Sequence, residues 1–246
     1  MQLTYGINPL VEGLLSHPSV FEKILIARGR GGAGLQKILS LAEENSIPVE
    51  YVDREKIDKL AQHGVHQGIL GFCRERDYST VEDVIANRHE KNNNDLVVIL
   101  DGVADPRNLG SIIRTAYCLG ANGIIIPENR AASVTALTSK ASAGASELLP
   151  VAKVVNIVRT MEYLKKEGFW IYGADADEGL AVNSFDYEGN VAVVAGSEGH
   201  GIRPLVRRNC DFLISIPMRG RVASLNVSVA TGVILFEILR KWGEGA

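Results

Sequence analysis

The chain has 246 residues, enough for one large domain or two modest ones, each able to bury its own core. Hydrophobic residues make up 46% and charged residues 22%, which excludes a disordered chain. The 26 Lys+Arg against 29 Asp+Glu give a net charge of −3, which excludes a uniformly basic surface for nucleic acid. No stretch reaches the ~18 apolar residues of a membrane span, and the N-terminus lacks a basic-then-apolar leader, so a cytoplasmic protein with no membrane partner is expected.

In chain order, KILIA (Lys23–Ala27) predicts a buried strand and LQKILSLAEENS, with apolar residues at helical spacing, predicts a helix. Strand Val49–Asp53, helix EKIDKLAQH and strand Gly68–Cys73 complete a small α/β domain over residues 1–76. Ten of the 22 residues from Arg74 to Asp95 are charged, so residues 77–94 are expected to be a charged linker with one short helix through VEDVIANR. Residues 95–246 alternate again: strand Leu96–Gly102, helix Asn108 to about Leu119, strands Gly123–Pro127, Phe169–Ala174, Val191–Gly196 and Phe212–Pro217, and a terminal helix from about Leu225. Continuous apolar strands separated by helices predict a parallel sheet covered on both faces.

Cys73, Cys118 and Cys210 stand 45 and 92 residues apart, as expected of reduced, mostly buried thiols. His63 and His66 have no third ligand nearby, so no metal site is expected. Gly29-Arg30-Gly31-Gly32-Ala33-Gly34 follows a strand, precedes a helix and has Asp53 at the end of the next strand, the local form of a dinucleotide fingerprint. A domain of about 75 residues is too short for the paired halves a dinucleotide spans. The flanking Arg28, Arg30 and Lys37 suit the phosphates of RNA instead, and a plain surface loop is an equal alternative.

Three segments of the second domain lie at strand ends, where open α/β sheets hold ligands. The first, DPRNLGSIIRT, places Asn108 as a possible helix cap and Arg114 six residues on, roughly 120° around the helix. The second, GSEGHG (Gly196–Gly201), holds three glycines in six residues, so backbone groups can approach a ligand while Glu198 projects; His200 is a lesser candidate base. The third, ISIPMRGRVASLNVSVATG, carries Arg219 and Arg221 before Ser224-Leu225-Asn226, and the small residues Ala230, Thr231 and Gly232 suggest close helix packing, within the chain or against a second subunit. A cap at Ser224 with two solvated arginines is the plain alternative.

Together, N-x-G-x-x-x-R, G-S-E-G-x-G and I-S-I-P-M-x-G-x-V-x-S-L-N-V-S-V-A resemble the SpoU (TrmH-type) family of RNA ribose 2′-O-methyltransferases within the SPOUT superfamily. The resemblance spans Leu96–Trp242, and YGINP and HQGI near the N-terminus resemble that family's substrate-binding domain. It implies an α/β knot (deep trefoil knot) methyltransferase domain joined to a small N-terminal α/β RNA-binding domain. It also implies S-adenosylmethionine as methyl donor, a homodimer, and a substrate guanosine in 23S ribosomal RNA. A tRNA ribose substrate and a catalytically inactive RNA-binding protein are the rival expectations. By motif position, Gly196, Ile216 and Leu225 would contact the cofactor, while Asn108, Arg114, Glu198, Ser224 and Asn226 would form the reaction site. Residues 196–225 carry +3 and residues 161–190 carry −5, so the site is expected to be basic within an acidic chain.

Overall fold

A computed structural model describes residues 2–16, 18–61, 66–73, 78–88, 94–220 and 224–244. The chain divides into two compact units, Met1–Asp77 and Tyr78–Ala246. The first unit runs β1 (Gln2–Tyr5), α1 (Ile7–Ser16), β2 (Phe21–Ala27), α2 (Ala33–Glu44), β3 (Val49–Val52), α3 (Arg54–Ala61) and β4 (Ile69–Cys73). Its sheet has the order β1-β4-β2-β3, with β3 parallel to β2 and β4 antiparallel to both neighbours. Alternation along β2 serves two layers: Ile24 and Ile26 join Leu10, Leu14, Leu35 and Ile38, whereas Leu25 and Ala27 join Ile57, Ala61 and Leu70. The antiparallel β4 beside β2 leaves no second parallel half for a dinucleotide. Gly34 instead lets α2 approach α1, since a Cβ there would lie 2.6 Å from Ile7 Cγ2. β1 and α1 went unassigned in the sequence because QLTY is a short strand with little apolar character.

The second unit runs α4 (Val81–Ala86), β5 (Leu96–Asp101), α5 (Pro106–Cys118), β6 (Gly123–Pro127), α6 (Ala136–Ala141), β7 (Val151–Val154), α7 (Ile157–Lys166) and β8 (Phe169–Ala174). It continues β9 (Leu180–Ala181), β10 (Asn190–Gly196), α8 (Pro204–Arg208), β11 (Phe212–Ser215) and α9 (Val227–Glu244). The seven-stranded sheet has the order β7-β6-β5-β10-β8-β11-β9, and its strands pair in parallel throughout. Both faces are covered as the apolar runs predict: on β5, Leu96, Val98 and Leu100 enter one core while Val97 and Ile99 enter the other.

One expectation is corrected here. Part of the segment assigned to a charged linker is an element of the second unit: α4 starts at Thr80, which forms a capping box with Asp83, and Val84 is fully buried in the core against β6 and β7. Asn87 Nδ2 donates to the Asn122 carbonyl at 2.7 Å, closing the helix end. Its charges occupy the exposed face, so composition hid one well-placed apolar residue.

Candidate functional site

Because the strands are parallel, the C-terminal ends of β5, β8, β10 and β11 share one edge, and β5 and β10 flank the point where the strand order reverses. The turn after β10 is tightly closed. Ser197 and Gly201 exchange two backbone hydrogen bonds of 3.0 Å, and Gly199 and Gly201 adopt φ of 82° and 63°. A Cβ on Gly196 would overlap the backbone of Gly201 and Ile202, so only glycine fits there. The turn is tied to β5 by Asp101, whose buried carboxylate accepts from Arg203 N–H at 2.8 Å and from its Nε and Nη2 at 2.6 Å each.

Beside this turn lies a cleft of about 340 Å³. Gly196, Ile216 and Leu225 line it, as do Glu198, His200 and Ser224, with Ala174–Asp177 from the end of β8 and Val227, Thr231 and Ile234 of α9. Asp175 sets the rim: its Oδ1 accepts from the N–H groups of Asp177 and Glu178 at 3.0 and 2.9 Å, and its Oδ2 accepts from Arg207 Nε at 2.6 Å. Burial pushes its carboxyl upward, but the backbone N–H groups of Glu178 and Asp177 and the Arg207 guanidinium outweigh it and hold the group below the usual carboxylate range.

At the mouth, three predicted residues from three elements converge. Asn108 Nδ2 donates to Glu198 Oε1 at 3.0 Å; Asn226 Nδ2 donates to the same oxygen at 2.6 Å and to Asn108 Oδ1 at 3.1 Å. Asn226 Oδ1 in turn accepts from the N–H and Oγ of Ser228, at 2.9 and 2.6 Å, so Asn226 rather than Ser224 caps α9. Asn108 is likewise not a cap. Asp105 caps α5, accepting from Arg107 N–H at 2.8 Å with Pro106 in the first turn, and this leaves the Asn108 side chain free to face Glu198.

Arg114 does not join this cluster. It is exposed and, among the described residues, makes no ion pair, and it lines a groove of about 620 Å³ between α5 and α9 with Thr115, Cys118, Ser228, Val233 and Phe236. The small residues of α9 serve this packing inside the chain: Thr231 is buried, and a Cβ on Gly232 would lie 3.3 Å from Thr115 Cγ2.

The expected basic field is weaker than the count of arginines, because Arg203 and Arg207 are spent on Asp101, Asp175 and Glu178. Arg208 and Arg219 are exposed, and Arg221 lies outside the described residues. In the first unit Arg28, Arg30 and Lys37 are exposed; Arg28 stands 3.9 Å from Asp53, the acid of the dinucleotide-like pattern. His66 is engaged at both ring nitrogens, by Gly68 N–H at 3.1 Å and Asp58 at 2.8 Å, while His63 lies outside the described residues. Cys73 and Cys210 are shielded, and burial pushes the Cys210 thiol up to about 12, but Cys118 is exposed, against expectation. Asp101, Asp175, Arg203 and Arg207 were missed in the sequence; acids at strand ends two loops away from their arginines leave no local signal.

Residues 95–236 match the SpoU rRNA Methylase family, and residues 3–79 match the RNA 2′-O ribose methyltransferase substrate-binding domain. A Bacillus subtilis protein provisionally named a TrmH family tRNA/rRNA methyltransferase is 41% identical over 96% of this chain and 94% of its own length. The Pseudomonas putida 23S rRNA (guanosine-2′-O-)-methyltransferase RlmB is 38% identical over 98% of this chain and 97% of its own. Among solved structures, an AdoMet-bound rRNA methyltransferase from Sinorhizobium meliloti superposes with a TM-score of 0.61 at 25% identity, covering 97% of this chain and 86% of that one. The SpoU methyltransferase AviRb from Streptomyces viridochromogenes shares the fold with a TM-score of 0.63, covering 99% and 90%. With its three motif segments gathered on one sheet edge and both units matched, the chain belongs to the SpoU family of RNA methylases.

Proposed function

We propose that the protein transfers a methyl group from S-adenosylmethionine to the ribose 2′-hydroxyl of a guanosine in 23S ribosomal RNA. The observation that carries this is the convergence of Asn108, Glu198 and Asn226 at the mouth of the cleft. Relatives named as 23S rRNA methyltransferases along their full length favour ribosomal over transfer RNA. An intact hydrogen-bonded cluster argues against an inactive RNA-binding protein.

The cleft suits the methyl donor. Its volume falls in the ~300–1,000 Å³ range of small-molecule sites, its walls carry Ile214, Ile216, Leu225 and Val227, and Gly196 keeps side chains out of the turn's backbone. When bound, S-adenosylmethionine supplies a sulfonium methyl open to displacement. The chain's own residues must align the 2′-oxygen with that methyl and stabilise negative charge as it develops. Gly196, Ile216 and Leu225 hold the donor in this reading, while Glu198, Ser224 and Asn226 orient the ribose. Arg114 binds a substrate phosphate and stabilises the developing charge, since a guanidinium retains its proton.

In the same reading residues 1–76 bind the RNA substrate, with Arg28, Arg30 and Lys37 on phosphates, residues 95–246 catalyse, and Arg219 and Arg221 add RNA contacts. The C-terminal stretch is threaded as an α/β knot. Support comes from β10 lying between β5 and β8 while α9 returns across α5. The protein works as a cytoplasmic homodimer, its interface formed by the apolar face of Tyr117, Val229, Val233 and Phe236, each between 39% and 59% exposed. Arg114 lines the groove on that face, and in this reading belongs to a site shared by the two subunits.

The test is to incubate purified protein with labelled S-adenosylmethionine and ribosomal RNA, free or in assembly intermediates, from cells lacking the gene, and to map the methylated ribose. Absence of label in every RNA would overturn the proposal.

A further inference from the structure

Lys153, on β7, is a half-buried cation outside the cleft. Val151 and Ala152 before it enter the two cores, and alternation puts Lys153 on the α5 side of the sheet with Val151. Its Nζ stands 4.8 Å from the centroid of the Tyr78 ring and donates to Ser133 Oγ at 3.5 Å, and among the described residues no carboxylate pairs with it. Arg203, Arg207 and Lys165 of the same unit are each paired with an acid. An ammonium has three N–H donors; the Ser133 hydroxyl takes one, the ring face attracts another, and the third stays open. Ser133 Oγ accepts from Lys153 and has its own proton left to donate, so two donors converge where no acceptor of the chain stands. A cation drawn partly out of water gains most from an anion brought to it.

The surroundings of this pair are fixed. Tyr78 Oη accepts from Val134 N–H at 3.1 Å, the Ser133 carbonyl accepts from Thr138 Oγ1 at 2.9 Å, and Ala132 N–H donates to the Val103 carbonyl at 2.8 Å. The last bond ties the loop of Ser133 to the loop that runs from β5 to Asn108. In the sheet order β7 is the second neighbour of β5, on the side away from β10, which at the usual strand spacing puts it about 10 Å from β5.

We infer that Lys153 and Ser133 hold a backbone phosphate of the substrate RNA close to the target ribose, an inference that rests on the RNA-methylation reading above. The strand runs along the sheet edge, from the cluster of Asn108, Glu198 and Asn226 across the ends of β5 and β6 to β7. A phosphodiester oxygen accepts the open N–H of Lys153 and the hydroxyl proton of Ser133. The contact sets the register of the strand over the cleft and reads no base.

The test compares wild type, Lys153→Gln and Lys153→Arg in binding to the rRNA fragment that the wild type methylates, over a series of salt concentrations with S-adenosylhomocysteine present. Loss of one phosphate contact flattens the plot of log affinity against log salt by about 0.7 to 1. Lys153→Gln should show that change and bind about tenfold more weakly at low salt, the size of one charge-assisted hydrogen bond, whereas Lys153→Arg should keep the wild-type slope. Lys153 does not line the cleft, so Lys153→Gln should bind S-adenosylmethionine as the wild type does, by calorimetry. A second arm uses the wild type alone: replacing single phosphates beside the target by uncharged methylphosphonates should, at one position, weaken binding about tenfold and flatten the slope by the same amount. An unchanged slope in Lys153→Gln, or no sensitive phosphate in the wild type, would overturn the inference. A wild-type protein that methylates no RNA overturns the methyl-transfer reading itself.

Discussion

At Gly196 the backbone of one residue decides whether the cleft exists. A methyl group there meets the Gly201 and Ile202 main chain, which is closed by its own hydrogen bonds and has no flexible side chain to move aside. Gly196→Ala is expected to lose S-adenosylmethionine binding below detection by calorimetry; wild-type affinity in that variant would show that the turn plays no part. Arg203 acts at the same scale. Removing its side chain strands the buried Asp101 carboxylate with one backbone donor, so Arg203→Ala should cost about 2–4 kcal/mol, below a fully buried pair because the guanidinium is half exposed. Urea unfolding with an unchanged m-value measures that loss directly.

Elements set how far α5 and the acidic loop after β8 can move. Gly110 brings α5 against α6, and a Cβ there would lie 2.5 Å from Ala141 Cβ and 2.6 Å from the Thr138 carbonyl oxygen. Alanine gains about 1 kcal/mol of helix propensity over glycine, but overpacking costs about 1–3 kcal/mol, and here backbone must yield. Gly110→Ala should therefore lower Tm and, by tilting α5 and Asn108, lower kcat; a rise in Tm would show that the helices separate freely. The loop after β8 depends on pH through Asp175. Its folded pKa is depressed, so its contribution to stability is complete above the unfolded value of about 4 and disappears as pH falls through the lower folded value. The Tm difference between wild type and Asp175→Asn should be constant from about pH 8 to pH 5 and shrink below about pH 4.

For the whole molecule, the exposed apolar residues of α5 and α9 and the scattered cations make two claims that can be measured. A mass of 26.6 kDa per chain should double in sedimentation, and Phe236→Glu, which changes an exposed side chain on α9, should return it to one chain and reduce methyl transfer. Wild-type protein sedimenting as a single chain would remove the interface. RNA affinity should fall steeply between about 50 and 200 mM salt, despite the net charge of −3, because binding depends on local cations rather than on the total.

Much was legible before any coordinates. The apolar strands KILIA, LVVIL, GIIIP and VAVVAG announce themselves by composition, since strands buried on both faces leave no polar positions. The three motif segments identify the family because close backbone approach at Gly196 and the polar side chains of Asn108, Glu198 and Asn226 admit few substitutes. The start of α5 lies before Asn108 rather than at it, because an asparagine suited to capping a helix is equally suited to hydrogen-bonding across a cleft, and local sequence cannot separate the two. The short helix expected through VEDVIANR is α4; what composition hid is the burial of Val84 in the core of the second unit. Charge pairing was invisible as well, because Arg203 and Arg207 meet acids 102 and 32 residues away, which only the folded sheet brings together. The sequence by itself determined the parallel α/β class, the segments that form the site and the family, since these follow from periodicity and from local backbone demands. Only the tertiary structure decided that Asn108, Glu198 and Asn226 share one hydrogen-bonded cluster while Arg114 faces the groove between α5 and α9, because side-chain direction depends on how separate strands and helices pack.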